Sequence, residues 1–562
     1  MANEEYNNPF FKLGDCLGDI YKMKKLLQIL AFVVGGLFFL VVVAVLWAKS
    51  LAHDDGGAGR PTYGQPYAWV NPTDVDGTPA KQSTPEGGPV PRADGYVMGS
   101  QGNDYILPPM PPVRVTDIAR RDTAFKNASI RNCFWPGPKL RSGYYTTDPD
   151  GYGEENQVPD IGNTFSTAWF KIPEGATVVM KGDFPHMRHW SFTTYTENGV
   201  PRDAVSDINI DPDAGSSNPF RAGVSRDVQP RRYTVTIANG EPPEKRPSNM
   251  VYTRAPAMTA IGMHMRNYVP DRDLDWTGGV GVPSVELHLA DGKVLKDTQA
   301  CDATAAPLRG KQVPIVVPKA VWLAFSNLPW RGADEHPPAK NLDVVTLQRF
   351  YNREYNMLHI FFPNLPVDFL AVEKGGFWSN LNTRYGLTFL NRAYGKVYVA
   401  RGKMPTTPST WDGNPKPVDQ NADMRYWSLC TSTAAPVGNT VDCVTDENVR
   451  GTLDRDGYYN VVISQAPDRP SNATEKCGVQ WMEYGNGDGI PGGSPDASIL
   501  MNRNTFVNPN FKHSWFNVKS IGGEKEAMGP YMPYVLNMRE KEKFEALGCP
   551  VDTSKLAAMV KQ

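Results

Sequence analysis

The chain has 562 residues, of which 40% are hydrophobic and 11% aromatic. This composition excludes a disordered or fibrous protein, and the length exceeds that of one ordinary domain. The 51 glycines and 49 prolines favour a turn-rich β protein over a helical one. Because 58 Lys and Arg are balanced by 60 Asp and Glu, there is no basic field, and we expect no nucleic-acid partner.

A single apolar segment, 26–48, dominates the hydropathy of the chain. It reads LLQILAFVVGGLFFLVVVAVLWA and is long enough for a helix across a hydrocarbon layer of about 30 Å. Three lysines lie within 22–25, whereas Lys49 alone follows closely, so the positive-inside rule places 1–25 in the cytoplasm. A cleaved signal peptide is the alternative, but the run exceeds the usual h-region. We therefore predict a single-pass membrane protein whose bulk is periplasmic or extracellular.

Cysteine usage agrees with an oxidising compartment. Six of the seven cysteines follow the apolar segment, and none of them forms a C-x-x-C motif. Three disulfides are the expected outcome, with buried free thiols as the alternative and Cys430–Cys443 as the most local pair. The remaining pairing is open among the other candidates, Cys133, Cys301, Cys477 and Cys549.

Beyond the apolar segment, residues 49–115 are rich in Pro and Gly and are typical of an extended tether or of a peptide laid along a partner. From 116 onward, short apolar or alternating runs such as TAWFKI, HWSFTTY and SVELHL alternate with turn signals. Such runs predict strands, and their spacing suggests a β-sandwich or jelly roll. The first β-domain is predicted over 116–301.

An internal repeat is the most informative feature. Three motifs recur in the same order: HMRHWSF (186–192) as DMRYWSL (423–429), RPSN (246–249) as RPSN (469–472), and MRNYV (265–269) as NRNTF (502–506). The first and third pairs share an offset of 237 residues, and the second has an offset of 223. We therefore predict a second copy of the β-domain over 393–550, followed by a tail, 551–562.

The stretch between the two copies, 302–392, has a different character. In LDVVTLQRFYNREYNMLHIFF (342–362), apolar residues recur at helical spacing. They are Val344, Leu347, Tyr351, Tyr355 and Leu358. The pattern predicts a helical connector that packs on one or both sandwiches.

The run RNYVPDRDLDWTGGVGVPSVEL (266–287) resembles the closing motif of an uncharacterised bacterial family of secreted or membrane-anchored β-rich domains. In that family an Arg-x-Tyr-x-Pro segment precedes a Gly-Gly and a Pro-containing strand. MRHWSFTTY and DINIDPDAGSSNPF (207–220) are similar to its earlier strands. The likeness is looser in the second copy, which has Thr505 and Phe506 where the first has Tyr268 and Val269. The resemblance implies the fold and carries no activity.

Catalytic signatures are absent from the sequence. It contains no G-x-S-x-G, P-loop, G-x-G-x-x-G or H-E-x-x-H motif, so no catalytic residue is assigned and an enzyme is disfavoured. His186, His189 and His264 could form a copper site if their strands are neighbours. However, positions 186 and 189 point to opposite faces of a strand, so packed strand residues are the alternative.

The sequence suggests one possible cofactor, a calcium ion bound by an acidic loop. No cofactor is required. The acidic turn DPDGYGEE alternates carboxylates as calcium loops do, although it lacks the EF-hand pattern, and an ordinary hairpin turn is the alternative. Its candidate ligands are Asp148, Asp150, Glu154 and Glu155.

Repeated arginines beside aromatic residues form the last candidate site. Such a pair on a β-face can bind a carboxylate or a sugar by bidentate hydrogen bonding and stacking, whereas an internal salt bridge is the structural alternative. The residues are Arg188, Arg266, Arg425, Arg503, Trp190 and Trp427.

These observations favour a structural or accessory subunit that docks on a membrane complex or on its own copies. A tether, a duplicated scaffold and the lack of a catalytic motif motivate this hypothesis. Two alternatives remain: an envelope module that binds a small hydrophobic or saccharide ligand, and a metal-dependent enzyme.

Overall fold

The first β-sandwich follows directly from strands whose side chains alternate between two faces. The computed structural model describes residues 130–135, 158, 160, 162–196, 199–306, 342–352, 355–356, 358–359, 370, 378–434, 438, 440–485, 487 and 496–560. The first set of strands comprises β1 (Asn163–Phe170), β2 (Thr177–Asp183), β3 (Met187–Tyr195), β4 (Pro201–Ser206), β5 (Arg232–Ala238), β6 (Met250–Tyr252), β7 (Ile261–Pro270), β8 (Ser284–His288) and β9 (Val294–Lys296), with helix α1 (Asp297–Thr304) after them.

These strands form two sheets, with orders β1-β7-β3-β4 and β6-β5-β2-β8-β9. Every pairing is antiparallel except that of β5 with β6. Val178 of one sheet and Met265 of the other belong to the same hydrophobic core, so the sheets pack face to face. We call this sandwich copy one.

A second set of strands builds a second sandwich, copy two. It comprises β10 (Val344–Thr346), β11 (Gln348–Phe350), β12 (Thr383–Asn391), β13 (Val397–Lys403), β14 (Met424–Thr433), β15 (Thr440–Thr445), β16 (Tyr458–Ser464), β17 (Gln480–Glu483), β18 (Ala497–Val507) and β19 (Tyr534–Arg539). Short helices border it: α2 (Asp446–Val449), α3 (Glu524–Met528), α4 (Lys541–Glu545) and α5 (Thr553–Val560).

Copy two repeats the topology of copy one. Its sheets have the orders β11-β12-β18-β14-β15 and β10-β19-β13-β16-β17, so each sheet contains the strand order seen in copy one, including the parallel edge pair. Ser191 lies opposite Arg266, and Ser428 lies opposite Arg503. The offset of 237 residues therefore holds on both central strands, and residues of the two copies can be compared position by position.

The helical prediction for 342–362 is wrong where the structure describes strands. Residues 344–346 and 348–350 are β10 and β11, which join opposite sheets of copy two. Burial alternates strictly along them, with Val345, Leu347 and Arg349 buried and their neighbours partly exposed. Within the predicted connector, 383–391 is also a strand. Pairing at sheet edges therefore determines the strand conformation of residues 344–350, although their apolar spacing suits a helix.

Three disulfides join the six cysteines that the sequence singled out. They are Cys133–Cys301 in copy one, and Cys430–Cys443 and Cys477–Cys549 in copy two. Cys430 and Cys443 lie directly opposite each other in the β14–β15 hairpin. The prediction of disulfide bonds, including the local pair, is confirmed.

Several sequence predictions fall outside the described residues. They are the apolar segment 26–48, the tether 49–115 and the acidic turn with Asp148, Asp150, Glu154 and Glu155. No helix in the described part of the chain has both the length and the hydropathy to cross a membrane.

Gly386 shows how closely the second copy is packed, and it gives a test of that packing. A Cβ at this position would overlap the ring of Trp515, which is fully buried and donates from Nε1 to Asn502 Oδ1 at 2.7 Å. We expect Gly386→Ala to destabilise the protein by about 1–3 kcal/mol because the core is overpacked. Chemical denaturation measures this change. Gly451→Ala is the control, since its Cβ would meet no atom within 4 Å; equal stabilities of the two variants would contradict the packing argument.

Candidate functional site: the interface between the two sandwiches

The central strands of both copies are buried on both faces. All ten residues of β7 and of β14 are buried, although a sandwich strand usually exposes one face. Trp190 and Trp427 point into the two hydrophobic cores, where Trp427 packs on Tyr459 with ring centroids 4.7 Å apart. The outer faces of these sheets meet between the copies, and most of the polar residues singled out in the sequence lie there.

Arg188 is the central charge of this interface. Its side chain is fully buried and forms ion pairs with Asp446 and Glu447 of the other copy, and its Nε donates to Thr410 Oγ1 at 3.2 Å. Burial by itself lowers the pKa of Arg188, but the two carboxylates outweigh it and raise the pKa. Both carboxylates lie in the first turn of α2, which Thr445 begins with a capping box.

Arg425 occupies the equivalent position in copy two but has different surroundings. Its guanidinium donates to Arg188 O and Phe220 O, each at 3.3 Å, and to Gln420 Oε1 at 3.1 Å. Burial lowers the pKa of Arg425 to about 10. The equivalent arginines therefore both belong to the interface between the two copies.

His189 and Asp207 form a buried pair beside the arginines. His189 Nδ1 lies 2.7 Å from Asp207 Oδ2, which also accepts the Trp190 amide at 2.7 Å. The imidazole packs between Tyr268 and Phe506, with ring centroids at 5.3 and 4.9 Å. An imidazole that is oriented by a carboxylate resembles the arrangement of a general base. This imidazole, however, is fully buried inside the interface.

The segments that precede β1 and β12 each lie on the other copy. Arg266 of copy one donates to Trp378 O at 2.5 Å, and Arg503 of copy two donates to Val158 O. The amide of Trp378 donates to Gly199 O at 3.0 Å, and the amide of Val158 donates to Gly438 O at 2.8 Å. Each of these two pairs of contacts thus relates equivalent segments of the two copies.

Backbone conformation repeats in the same way. Val158 and Trp378 have φ of 48° and 56°, and Val269 and Phe506 both have φ of 50°, which is costly for residues with a Cβ. Phe506 packs on His189, and Val269 packs in one cluster with Tyr426, the counterpart of His189. The two copies are therefore related by a pseudo-two-fold arrangement, and their interface is isologous.

The three histidines proposed for copper lie in separate environments. His186 Nε2 is 2.6 Å from Arg231, and burial lowers the pKa of His186 to about 4, with Arg231 adding to the effect. His189 faces Asp207, as described above. His264 stacks on Trp378 at 5.0 Å and packs on Tyr195 at 4.6 Å.

Within the described ranges, metal-ligand spacing occurs for one group, Asp160 with Cys430 and Cys443. The two sulfur atoms form a disulfide and therefore offer no thiolate. Asp160 accepts hydrogen bonds from Tyr426 at 3.0 Å and from Ser428 at 2.6 Å, so it fastens the segment before β1 to copy two.

Several residues of the interface were not predicted from the sequence. They are Asp160, Asp207, Trp378, Asp446 and Glu447. A signal for two of them exists, because VSD (205–207) at the end of β4 recurs as VTD (444–446) at the end of β15. The repeated aspartate accepts the amide of the equivalent tryptophan in each copy, Trp190 and Trp427.

Glu483, at the edge of copy two, gives the stability of the protein a pH dependence. Burial raises its pKa from 4.5 to about 7, and the nearby Asp442 carboxylate adds to this shift. Between these two pH values the unfolded chain ionises Glu483 while the folded protein keeps it neutral, so stability falls as pH rises. We expect Glu483→Gln to reduce this slope in denaturation curves measured across pH 4.5–7. The exposed Glu475→Gln is the control, and an unchanged slope in Glu483→Gln would contradict the assignment.

Comparison with known proteins finds matches among solved structures alone. No family profile and no curated protein matches the chain. An uncharacterised protein of Burkholderia cenocepacia is similar in structure, with 11% identity, 69% of this chain and 83% of the other covered, and a TM-score of 0.33. The VPA0106 protein of Vibrio parahaemolyticus is similar with 10% identity, 75% and 97% covered, and a TM-score of 0.31.

Proposed function

We propose that this chain is a membrane-anchored, extracytoplasmic structural or accessory subunit whose paired sandwiches form one scaffold for a protein partner. The observation that carries the proposal is the isologous interface. The arginines and histidines most suited to binding or chemistry, Arg188, His189, Arg266, Arg425 and Arg503, are buried in it or beside it. These groups hold the two copies together, which is what a scaffold requires.

Compartment and anchoring are further parts of this proposal. Three disulfides support an oxidising environment for the sandwiches, and the apolar segment 26–48 supports a single membrane anchor. The lysines at 22, 24 and 25 support a cytoplasmic N-terminus. Cys16 is then the single cysteine on the cytoplasmic side.

Cysteine labelling tests the anchoring. In intact cells, a membrane-impermeant maleimide should not label this protein. After permeabilisation without reduction, the same reagent should label Cys16. A Cys16→Ser variant is the matched control and should stay unlabelled in both states. Labelling of Cys16 in intact cells would contradict the proposed orientation.

Native mass determination of the detergent-extracted full chain tests the accessory role. A defined complex, with a second protein or with further copies of the chain, is the expected result. A variant lacking 49–115 serves as the comparison, because it tells whether the tether contributes to the complex. A lone monomer from membranes extracted under mild conditions would overturn the accessory role.

A further inference from the structure

One sheet of copy two has an outer face with two different parts. In the sheet β10-β19-β13-β16-β17, the side chains of Val399, Leu536 and Met538 leave the core between the sheets and form a second hydrophobic cluster with Phe544 of α4 and Leu556 of α5. The C-terminal helices therefore cover this part of the face. Further along the same strands, the side chains are aromatic or cationic and partly exposed.

Three tyrosines and a lysine meet at this end of the face. Lys403 lies opposite Tyr458, and Tyr534 lies opposite Arg401, which is two positions before Lys403 and therefore points to the same side. Lys403 Nζ is 5.8 Å from the centroid of the Tyr531 ring. Burial raises the pKa of Tyr531 and of Tyr534, and the Tyr458 phenol adds to both shifts, so the three phenols are neighbours. We call Lys403, Tyr458, Tyr531 and Tyr534 the tyrosine face.

The polar groups of the tyrosine face are available to a ligand. The Arg401 guanidinium lies 4.6 Å from the centroid of the Tyr458 ring and forms an ion pair with Asp454 at 2.8 Å, so this ring is held from below. Among the described residues, the three phenol hydroxyls form no hydrogen bond, and Lys403 Nζ forms no ion pair.

Copy one shows that the fold does not require these residues. Gly182 of copy one and Gly402 of copy two each lie under the hydroxyl of a core tyrosine, which aligns the two outer faces. The residues of copy one equivalent to Lys403, Tyr458 and Tyr534 are Asp183, Arg232 and Ser284. Because the same strands pair in both copies with either set, packing of the sheet does not select the tyrosines.

Tyr531 belongs to a connection that is longer in copy two. The segment between β18 and β19, 508–533, is about twice as long as its counterpart between β7 and β8, 271–283. It also carries Phe511 and His513, whose rings lie 4.9 and 5.6 Å from the Tyr531 ring, with His513 stacked on it. Binding residues commonly lie on such connections, which a rigid scaffold holds in place.

We propose that the tyrosine face binds a saccharide that carries carboxylate groups. The C–H groups of a pyranose ring pack on aromatic rings, and its hydroxyls hydrogen-bond to the phenol groups at the ring edges. Lys403 pairs with the carboxylate. A proline-rich peptide also packs on aromatic surfaces, but it has no anion for the ammonium group among the rings. The inference goes beyond the accessory role and does not depend on it.

Calorimetric titration of the full chain, in a detergent without a sugar headgroup, tests the site. The probes are two acidic saccharides, oligogalacturonate and hyaluronan oligosaccharides, and the neutral maltohexaose. We expect the acidic probes to bind more tightly than maltohexaose, and salt to weaken their binding.

Variants of the tyrosine face locate the binding. Tyr531→Ala and Tyr534→Ser should each weaken binding of the acidic probes about tenfold, because each removes a stacking ring. Lys403→Gln should abolish the preference for acidic over neutral probes. Ser284→Ala, at the equivalent position of copy one, is the matched control and should bind as the wild-type protein does.

Failure of both acidic probes to bind, or equal binding by the wild-type protein and the two tyrosine variants, would overturn the proposal. Binding of a polyproline peptide in their place would also overturn it and would assign the face to a peptide. Copy one has serine at the position of Tyr534, so Tyr534→Ser is expected to fold even if Tyr531→Ala does not, and denaturation curves check both. A lone monomer in the native mass experiment would overturn the accessory role while this site stands.

Discussion

Arg188→Ala is expected to lower the free energy of unfolding by about 3–5 kcal/mol, because it leaves Asp446 and Glu447 buried without their main cation. Arg450 also contacts both carboxylates, at 3.5 and 3.2 Å, but its side chain is 39% exposed and cannot replace a fully buried guanidinium. Chemical denaturation measures the loss.

Arg455→Ala is the matched control for this experiment. Its side chain is 88% exposed and lies 3.8 Å from Asp456, so we expect a change within about 0.5 kcal/mol. Combining Arg188→Ala with Asp446→Ala and Glu447→Ala should recover part of the loss, because no buried carboxylate then lacks a partner. Equal effects at Arg188 and Arg455 would show that the buried ion pairs do not stabilise the interface.

Removal of the Cys133–Cys301 disulfide is expected to have a comparably large effect. This disulfide closes a loop with a sequence separation of 168, for which loop-closure entropy predicts a stabilisation of about 5 kcal/mol. The Cys430–Cys443 disulfide, with a separation of 13, is predicted to contribute about 3 kcal/mol. The double variant Cys133→Ser and Cys301→Ser avoids a free thiol. Its thermal and chemical denaturation should show a larger loss than the corresponding double variant at 430 and 443.

Peptide mapping without reduction accompanies this comparison and must recover the three linked pairs from the wild-type protein. Trp135 is fully buried and Asn132 donates to Pro283 O at 2.9 Å, so the segment around Cys133 keeps other contacts after the disulfide is removed. Folding of the variant is therefore expected, and its stability can be measured. A larger loss at 430 and 443 would contradict the loop-length argument.

Sequence patterns were sufficient for the local features of this fold. The paired motifs HMRHWSF and DMRYWSL correspond to β3 and β14, and their offset of 237 residues matches the register of the sheets. Strand-forming residues at alternating positions determine such elements, and alternation is visible in a single sequence. The local cysteine pair could also be predicted from the sequence, because a short hairpin places Cys430 opposite Cys443.

The helical prediction failed where the local apolar pattern and the tertiary strand pairing favour different structures. Residues 344–350 have apolar spacing that suits a helix, yet they pair with β19 and β12 at sheet edges. The partner strands lie far along the chain, so their edges are not visible in the local pattern. Tertiary pairing therefore overrides the local signal here.

The sequence by itself determined a mainly β chain with a duplicated motif, six paired cysteines and one strongly apolar segment, because composition, periodicity and repetition are local properties. The tertiary structure alone decided that Arg188 pairs with Asp446 and Glu447, while the equivalent Arg425 bonds to carbonyl and amide oxygens. Arg188 and Asp446 are 258 positions apart in the sequence, so long-range packing selects these partners. A repeated residue type therefore predicts an equivalent position but not an equivalent role.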